Sequence, residues 1–297
     1  MTAHHGNASA IEAWNTILFD KFCRYEHLLS EGLGRHGDVL FAQFPPPRGA
    51  GVRVLDLGCG FGDTSVRLAS LVGEGEVVGI DCAQNFVDLA RERASARAKA
   101  ERTDSRLRFV QGDVQHDDLG GPYDAAYSRF GTMFFSAPVT ALRNVRRSLA
   151  PGGVLRMSVW RKRQDNPCFY VPQQVVEGFI HASDKATDEV TCGPGPFSMA
   201  GADMVSDMLL EAGFEQPSFL RFDAPMCMGK TVDEALAFAS DIGPAGEALR
   251  LAREKASHLQ AEIEAALRAA LAPLVREDGV WATSSTWLIS ARVPEAC

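Results

Sequence analysis

The stretch Val54-Leu55-Asp56-Leu57-Gly58-Cys59-Gly60-Phe61-Gly62-Asp63 decides how this chain folds. A short β-rich run starting at Val52 ends in three glycines at alternate positions. From Thr64 to Val72 the period changes, and Val66, Ala69 and Val72 recur on one side of a helix. The glycines are needed because the backbone must turn sharply and approach a ligand with no Cβ in the way. On an open parallel sheet, ligands bind at such turns, beyond the carboxyl ends of the strands.

Working outward, the same rhythm repeats. Strands are expected at 76–80, 107–111, 123–128 and 154–160, and helices at 84–100 and 139–149, with Pro151-Gly152-Gly153 as a turn. Further strands fall at 214–228 and 283–293, with a helix through Val205, Met208, Leu209 and Ala212. Repeated β-α units predict an α/β fold: a doubly wound, mostly parallel, seven-stranded Rossmann-like sheet with helices on both faces. Residues 1–45 carry apolar residues at helical spacing, among them Ile11, Trp14, Phe22, Tyr25 and Leu29, and form an N-terminal helical cap. Phe44 to Gly49 is a proline-rich break. Residues 46–297 form the core, with helical cap insertions at about 161–200, where Asn166-Pro167 and the break Thr191 to Pro196 mark an irregular connection or lid, and at about 231–280, with a break at Gly243-Pro244.

Two ligands compete for the glycine turn. A dinucleotide wants G-x-G-x-x-G, with its pyrophosphate on the helix N-terminus. Here the sixth position is Asp63, and Asp56 adds a second carboxylate, so a pyrophosphate is repelled. A cationic sulfonium nucleoside is favoured by the same charges. Asp81 ends the second strand, where a carboxylate accepts hydrogen bonds from ribose hydroxyls. Asp113 follows the third strand and is placed to accept from an adenine amino group.

These segments resemble the class I S-adenosylmethionine-dependent methyltransferases. Asp56 to Gly62 is similar to their D-x-G-x-G-x-G first motif, Val78-Gly79-Ile80-Asp81 to the second, and Gln111-Gly112-Asp113-Val114 to the third. Tyr123-Asp124 with Ser128-Arg129, and Leu149 to Gly153, resemble the fourth-strand region and the turn before the fifth. The closest resemblance is to the ubiquinone- and menaquinone-biosynthesis-like subgroup, over about residues 50–160. It implies S-adenosyl-L-methionine as cofactor and methyl transfer to a small-molecule acceptor at N, O or C, with a quinone-like or secondary metabolite as one expectation. It also implies Gly58 and Gly60 near the amino acid moiety, Asp81 on ribose, Asp113 on adenine and Phe86 beside the adenine. Asp56, Cys59, Cys82, Val114 and Ser128 complete the expected cofactor set, with the Cys59 and Cys82 thiols neutral.

The acceptor side is less legible. Tyr25, Arg129 and Trp160 are the candidates for substrate binding, Arg129 because it follows the fourth strand at the ligand edge. No catalytic base is singled out; His27, His116 and His181 qualify only by titrating near neutrality. Cys168, Cys192 and Cys227 fit no arsenite-holding motif. The alternatives are a nicotinamide-dependent oxidoreductase, which Asp63 argues against, and a non-catalytic binding protein that retains the fold.

Composition narrows the partners. The 297 residues carry a formal charge of -8, which argues against coating nucleic acid. Arg143, Arg146 and Arg147 read as a solvated helix face. Seven cysteines with no C-x-x-C spacing indicate neither a disulfide framework nor a metal site. The N-terminus lacks a signal-peptide pattern, and no apolar run approaches the ~18 residues of a membrane span. A cytoplasmic protein with no membrane partner is expected, and a homodimer is compatible with this reading.

Overall fold

The computed structural model describes residues 5–101, 106–180 and 195–296. Its centre is built from β1 (Arg53–Leu57), β2 (Glu76–Asp81), β3 (Arg106–Gln111), β4 (Tyr123–Arg129) and β5 (Leu149–Trp160), all parallel. Two long strands, β6 (Glu215–Gly229) and, after the short β7 (Val275–Arg276), β8 (Gly279–Arg292), extend it. The order is β3-β2-β1-β4-β5-β8-β6, with β7 pairing β8 off this path. β8 runs antiparallel to both β5 and β6. The connection reverses direction between β1 and β4, the switch point at which a crevice opens beyond the strand ends.

Side-chain alternation covers the sheet on both faces. Leu55 and Leu57 of β1 join the larger core, with Val78, Ile80, Met157 and Val159. Val54 joins the other, with Leu68, Val72, Val77 and Tyr127. Strands buried on both faces are the mark of an α/β sheet.

The chain opens with α1 (His5–Asn15), α2 (Ile17–Arg24), α3 (Glu26–Gly32) and α4 (Gly34–Gln43), separated only by turns at Thr16, Tyr25 and Leu33. The crossover helices are α5 (Asp63–Val72), α6 (Gln84–Glu101) and α7 (Pro138–Ser148). Then come α8 (Pro167–Phe179), α9 (Ala202–Glu211), α10 (Val232–Asp241), α11 (Gly243–Leu251), α12 (Arg253–His258) and α13 (Gln260–Leu271). Helix α8 packs on α11 and α13 through Val176, Ile180, Ala245, Ile263 and Leu267. Among the described residues no helix is long and apolar enough to cross a membrane.

One expectation needs correction. Pro151 to Gly153 lies inside β5 rather than before it, with a register shift opposite Tyr123 and Ala125. Residues 167–179, which fall in the helical cap insertion expected at about 161–200, are helical. Asn166-Pro167 starts the helix. Pro167 stands in its first turn, where a missing N–H costs nothing. Asn166 donates to the Lys162 carbonyl and accepts from the Ser285 backbone N–H at 2.7 Å, which ties the helix start to β8. The expected break at 191–196 falls mostly outside the described residues, as do His181 and Cys192.

Candidate cofactor site

The turn after β1 is held from beneath. The backbone N–H groups of Gly58 and Cys59 both donate to the Ile80 carbonyl, at 2.8 and 3.0 Å. Gly58, Gly60 and Gly62 all take left-handed φ, at 66°, 49° and 82°. They do different work. A Cβ on Gly62 would lie 2.9 Å from Ala90 Cβ and from Phe109 Cζ, so this glycine lets α5 close on α6 and β3. A Cβ on Gly58 would meet Gly131 Cα at 3.1 Å. Gly60 has open space on that side and leaves the backbone bare to a cavity.

That cavity lies beyond the carboxyl ends of β1, β2, β3 and β4 and beneath the N-terminal helices. Gly58, Cys59 and Gly60 line it, with Asp81, Cys82, Phe86, Asp113 and Val114, so eight of the expected cofactor residues converge on one space. Asp81 Oδ2 accepts from the Gly60 N–H at 2.9 Å and Oδ1 from the Ala83 N–H at 3.0 Å. Each oxygen thereby keeps a lone pair for a further donor. Burial pushes the Asp81 carboxyl pKa up, against the pull of those backbone N–H groups. Asp113 accepts from the Gln115 N–H at 2.9 Å, and its own N–H donates to Asp117 at 2.7 Å. Burial drives the Cys59 thiol pKa well up and that of Cys82 to about 12, with Asp81 adding to both, so the thiols are neutral.

The N-terminal helices supply the roof. Trp14 of α1 packs edge-on against Phe22 and Phe134, at 5.1 and 4.9 Å between centroids. Phe86 sits in the same cluster, edge-on to Phe19 and Phe61. Arg129 lines the far side: its Nε donates to Thr64 Oγ1 at 2.9 Å and its Nη2 pairs with Asp63. Asp63 thus heads α5 and also faces the cavity. Apolar side chains also line the cavity, among them Phe22, Leu29, Leu33, Phe130 and Phe135. Phe130 has φ of 60° and stacks on Trp160 at 4.4 Å. A bulky residue in that conformation is strained and is held by its surroundings.

Four expected residues lie off the cavity wall. Asp56 is buried below the turn, where its Oδ2 accepts from Ser65 Oγ at 2.5 Å and Oδ1 has no partner. Burial raises its carboxyl pKa to about 7. Ser128 Oγ is spent on the Leu57 carbonyl at 2.8 Å, tying β4 to β1. Tyr25 donates to Asp241 at 2.8 Å and anchors the N-terminal helices to α10. Trp160 is buried between Phe130, His36 and Phe169. Asp56, Ser128 and Trp160 lie in the strands expected for them and Tyr25 in the turn between α2 and α3; the face toward which each side chain turns is set by packing.

Other candidates also lie elsewhere. His27 pairs with Glu234 on the surface, and Cys168 and Cys227 are buried. Among the described residues no cluster has the makings of a metal site. Asn7, Gln115, Gly131 and Phe134 line the cavity without having been anticipated. Only Gly131 had a readable signal, a glycine just after β4, where the backbone passes Leu57 and Gly58 too closely for a Cβ.

A parallel sheet with a glycine turn after its first strand and carboxylates after its next two defines a nucleoside-binding α/β protein. Residues 54–153 match the family model described as a methyltransferase domain. The chain carries a class I S-adenosylmethionine-dependent methyltransferase domain, whose family cofactor is S-adenosylmethionine. It is 39% identical over 143 residues to 2-phytyl-1,4-naphtoquinone methyltransferase of Synechococcus elongatus, over 46% of this chain and 58% of that protein. It is 33% identical over 107 residues to trans-aconitate 2-methyltransferase of Deinococcus radiodurans, over 36% and 37%. To demethylmenaquinone methyltransferase of Lactococcus lactis it is 30% identical over 105 residues, over 35% and 40%. The chain therefore spans about 37 to 58% of the length of these relatives. The YcgJ protein of Bacillus subtilis shares the fold, with a TM-score of 0.53 at 17% identity over 88% of this chain and all of that one.

Proposed function

We propose that this protein transfers the methyl group of S-adenosylmethionine to a small, largely apolar acceptor. The observation that carries the reading is the convergence of the bare Gly60 backbone, Asp81 and Asp113 on one cavity whose wall is otherwise rich in aromatic and aliphatic side chains.

The residues present fit the cofactor. Gly58, Cys59 and Gly60 cradle its amino acid portion. Asp81, already oriented by two backbone N–H groups, receives the ribose hydroxyls. Asp113 and the Val114 backbone take the adenine edge, with Phe86 beside the ring. When bound, the cofactor supplies an electrophilic methyl carbon on a positively charged sulfur. The carboxylates of Asp63, Asp81 and Asp113 favour that charge over a pyrophosphate.

The chain's own part in the chemistry is alignment and exclusion of water. Phe22, Leu29, Leu33, Phe130 and Phe135 leave little for water to bind and hold a flat acceptor in line with the methyl carbon. Arg129 orients a polar atom of the acceptor. The acceptor would supply the nucleophile, take the methyl group from the bound cofactor and lose a proton, leaving the neutral thioether to be released. A quinol-like acceptor is supported by the apolar wall and by the names of two relatives.

Calorimetry with S-adenosylmethionine and NAD separates this reading from a nicotinamide enzyme. Binding of S-adenosylmethionine is expected, and preference for NAD would overturn it. Transfer of a labelled methyl group to a panel of reduced naphthoquinones, phenols and small carboxylic acids tests catalysis. Tight cofactor binding with no product across such a panel would favour a non-catalytic binding protein.

A further inference from the structure

Asn7 of α1 reaches across the cavity to Asp113, which follows β3. Its Nδ2 donates to Asp113 Oδ2 at 2.6 Å, while its Oδ1 accepts from Ser136 Oγ at 2.9 Å. The other carboxylate oxygen, Oδ1, already accepts twice, from the Gln115 backbone at 2.9 Å and from the Gln115 amide at 3.3 Å. The oxygen with room for a ligand is therefore the one Asn7 holds, and Asn7 itself lines the cavity from which a ligand must come.

The chemistry of the contact is specific. The Asn7 amide presents a planar, sp2 amino group to a carboxylate, as the exocyclic amino group of adenine would. The opposite end of α1 is pinned as well. Asn15 Oδ1 accepts from the Asn85 N–H at 3.2 Å, and its carbonyl accepts from Asn85 Nδ2 at 2.6 Å. Between the two ends Trp14 is wedged against Phe22 and Phe134.

We propose that Asn7 is a placeholder for the adenine amino group: it latches α1 shut on Asp113 from the cavity side, the side from which adenine would reach that oxygen, and gives up this approach when the cofactor binds. The roof helix thus competes with the cofactor for one carboxylate. This inference rests on the placing of adenine at Asp113 argued above.

The test is stopped-flow binding of S-adenosylhomocysteine to the full chain, followed by tryptophan fluorescence. Asn7→Ala is expected to raise the association rate and tighten the equilibrium affinity about three- to tenfold, the range of one hydrogen bond. Asn7→Asp, which repels Asp113 at nearly the same size, should give the same gain. In an Asp113→Ala background Asn7→Ala should change neither quantity, because the latch has lost its keeper. A purely structural role for Asn7 would show in both backgrounds and would overturn the proposal. Weaker binding by Asn7→Ala would overturn it too, making Asn7 a cofactor ligand. A wild-type chain that does not bind S-adenosylhomocysteine would sink the cofactor reading and the latch together.

Discussion

At the scale of single residues, the site depends on two kinds of constraint. Gly62 combines a φ of 82° with neighbours at 2.9 Å, so Gly62→Ala meets both backbone strain and overpacking. A loss of ~1–3 kcal/mol in a urea unfolding experiment is expected. An unchanged midpoint would mean that α5 and α6 shift apart freely. Asp81 is a ligand-facing constraint instead. Asp81→Ala should weaken S-adenosylhomocysteine binding by ~1–3 kcal/mol in calorimetry. If the affinity stays the same, Asp81 has no place in the site.

At the scale of elements, the cavity is closed by helices packed onto the sheet rather than by the sheet. The α2–α3 turn is bound to α10 through Tyr25 and Arg24 on Asp241, and α3 to α6 through the Glu26–Arg93 pair. These contacts hold the roof independently of α1. Trp14→Ala therefore leaves the rest of the fold in place while removing the aromatic contact between α1 and the cavity wall. Its expected effect is faster release of S-adenosylhomocysteine with a small change in melting temperature. A collapse of the melting temperature would show α1 to be part of the core.

At the scale of the whole molecule, two buried titratable groups pull pH-dependent stability in opposite directions. Burial raises Asp56 to about 7, so the native state holds a proton there that the unfolded chain has lost above its ordinary value of 3.8. That contribution to stability falls as pH rises through the interval between the two values. His36 is buried between Ser284 and Thr286, and burial, with Arg129 second, lowers it to about 4. The unfolded chain then binds the extra proton, and stability rises with pH from about 4 to its ordinary 6.5. The two offset each other over most of that window. Asp56→Asn should expose the His36 contribution, giving urea midpoints that climb from pH 4.5 to 6.5 more steeply than in wild type. Identical profiles for the two proteins would contradict the assignment.

The amino-acid sequence by itself determined the order of strands and helices from Val52 to Trp160 and the place of the glycine turn. It did so because these depend on local period and on backbone conformations that favour glycine. Asp81 and Asp113 were legible as cavity-lining residues for the same reason, since Asp81 closes β2, Asp113 follows the end of β3, and strand ends are marked by turn residues. That Pro167 opens a helix at this position rests on the Asn166 contacts to β8. Which way a side chain turns was decided by tertiary structure alone. Asp56 and Ser128 sit at strand positions read correctly, yet Ser65 and the Leu57 carbonyl claim them. Asn7 meets Asp113 across 106 residues. No local pattern encodes such a meeting, because it exists only once the N-terminal helices have settled on the sheet.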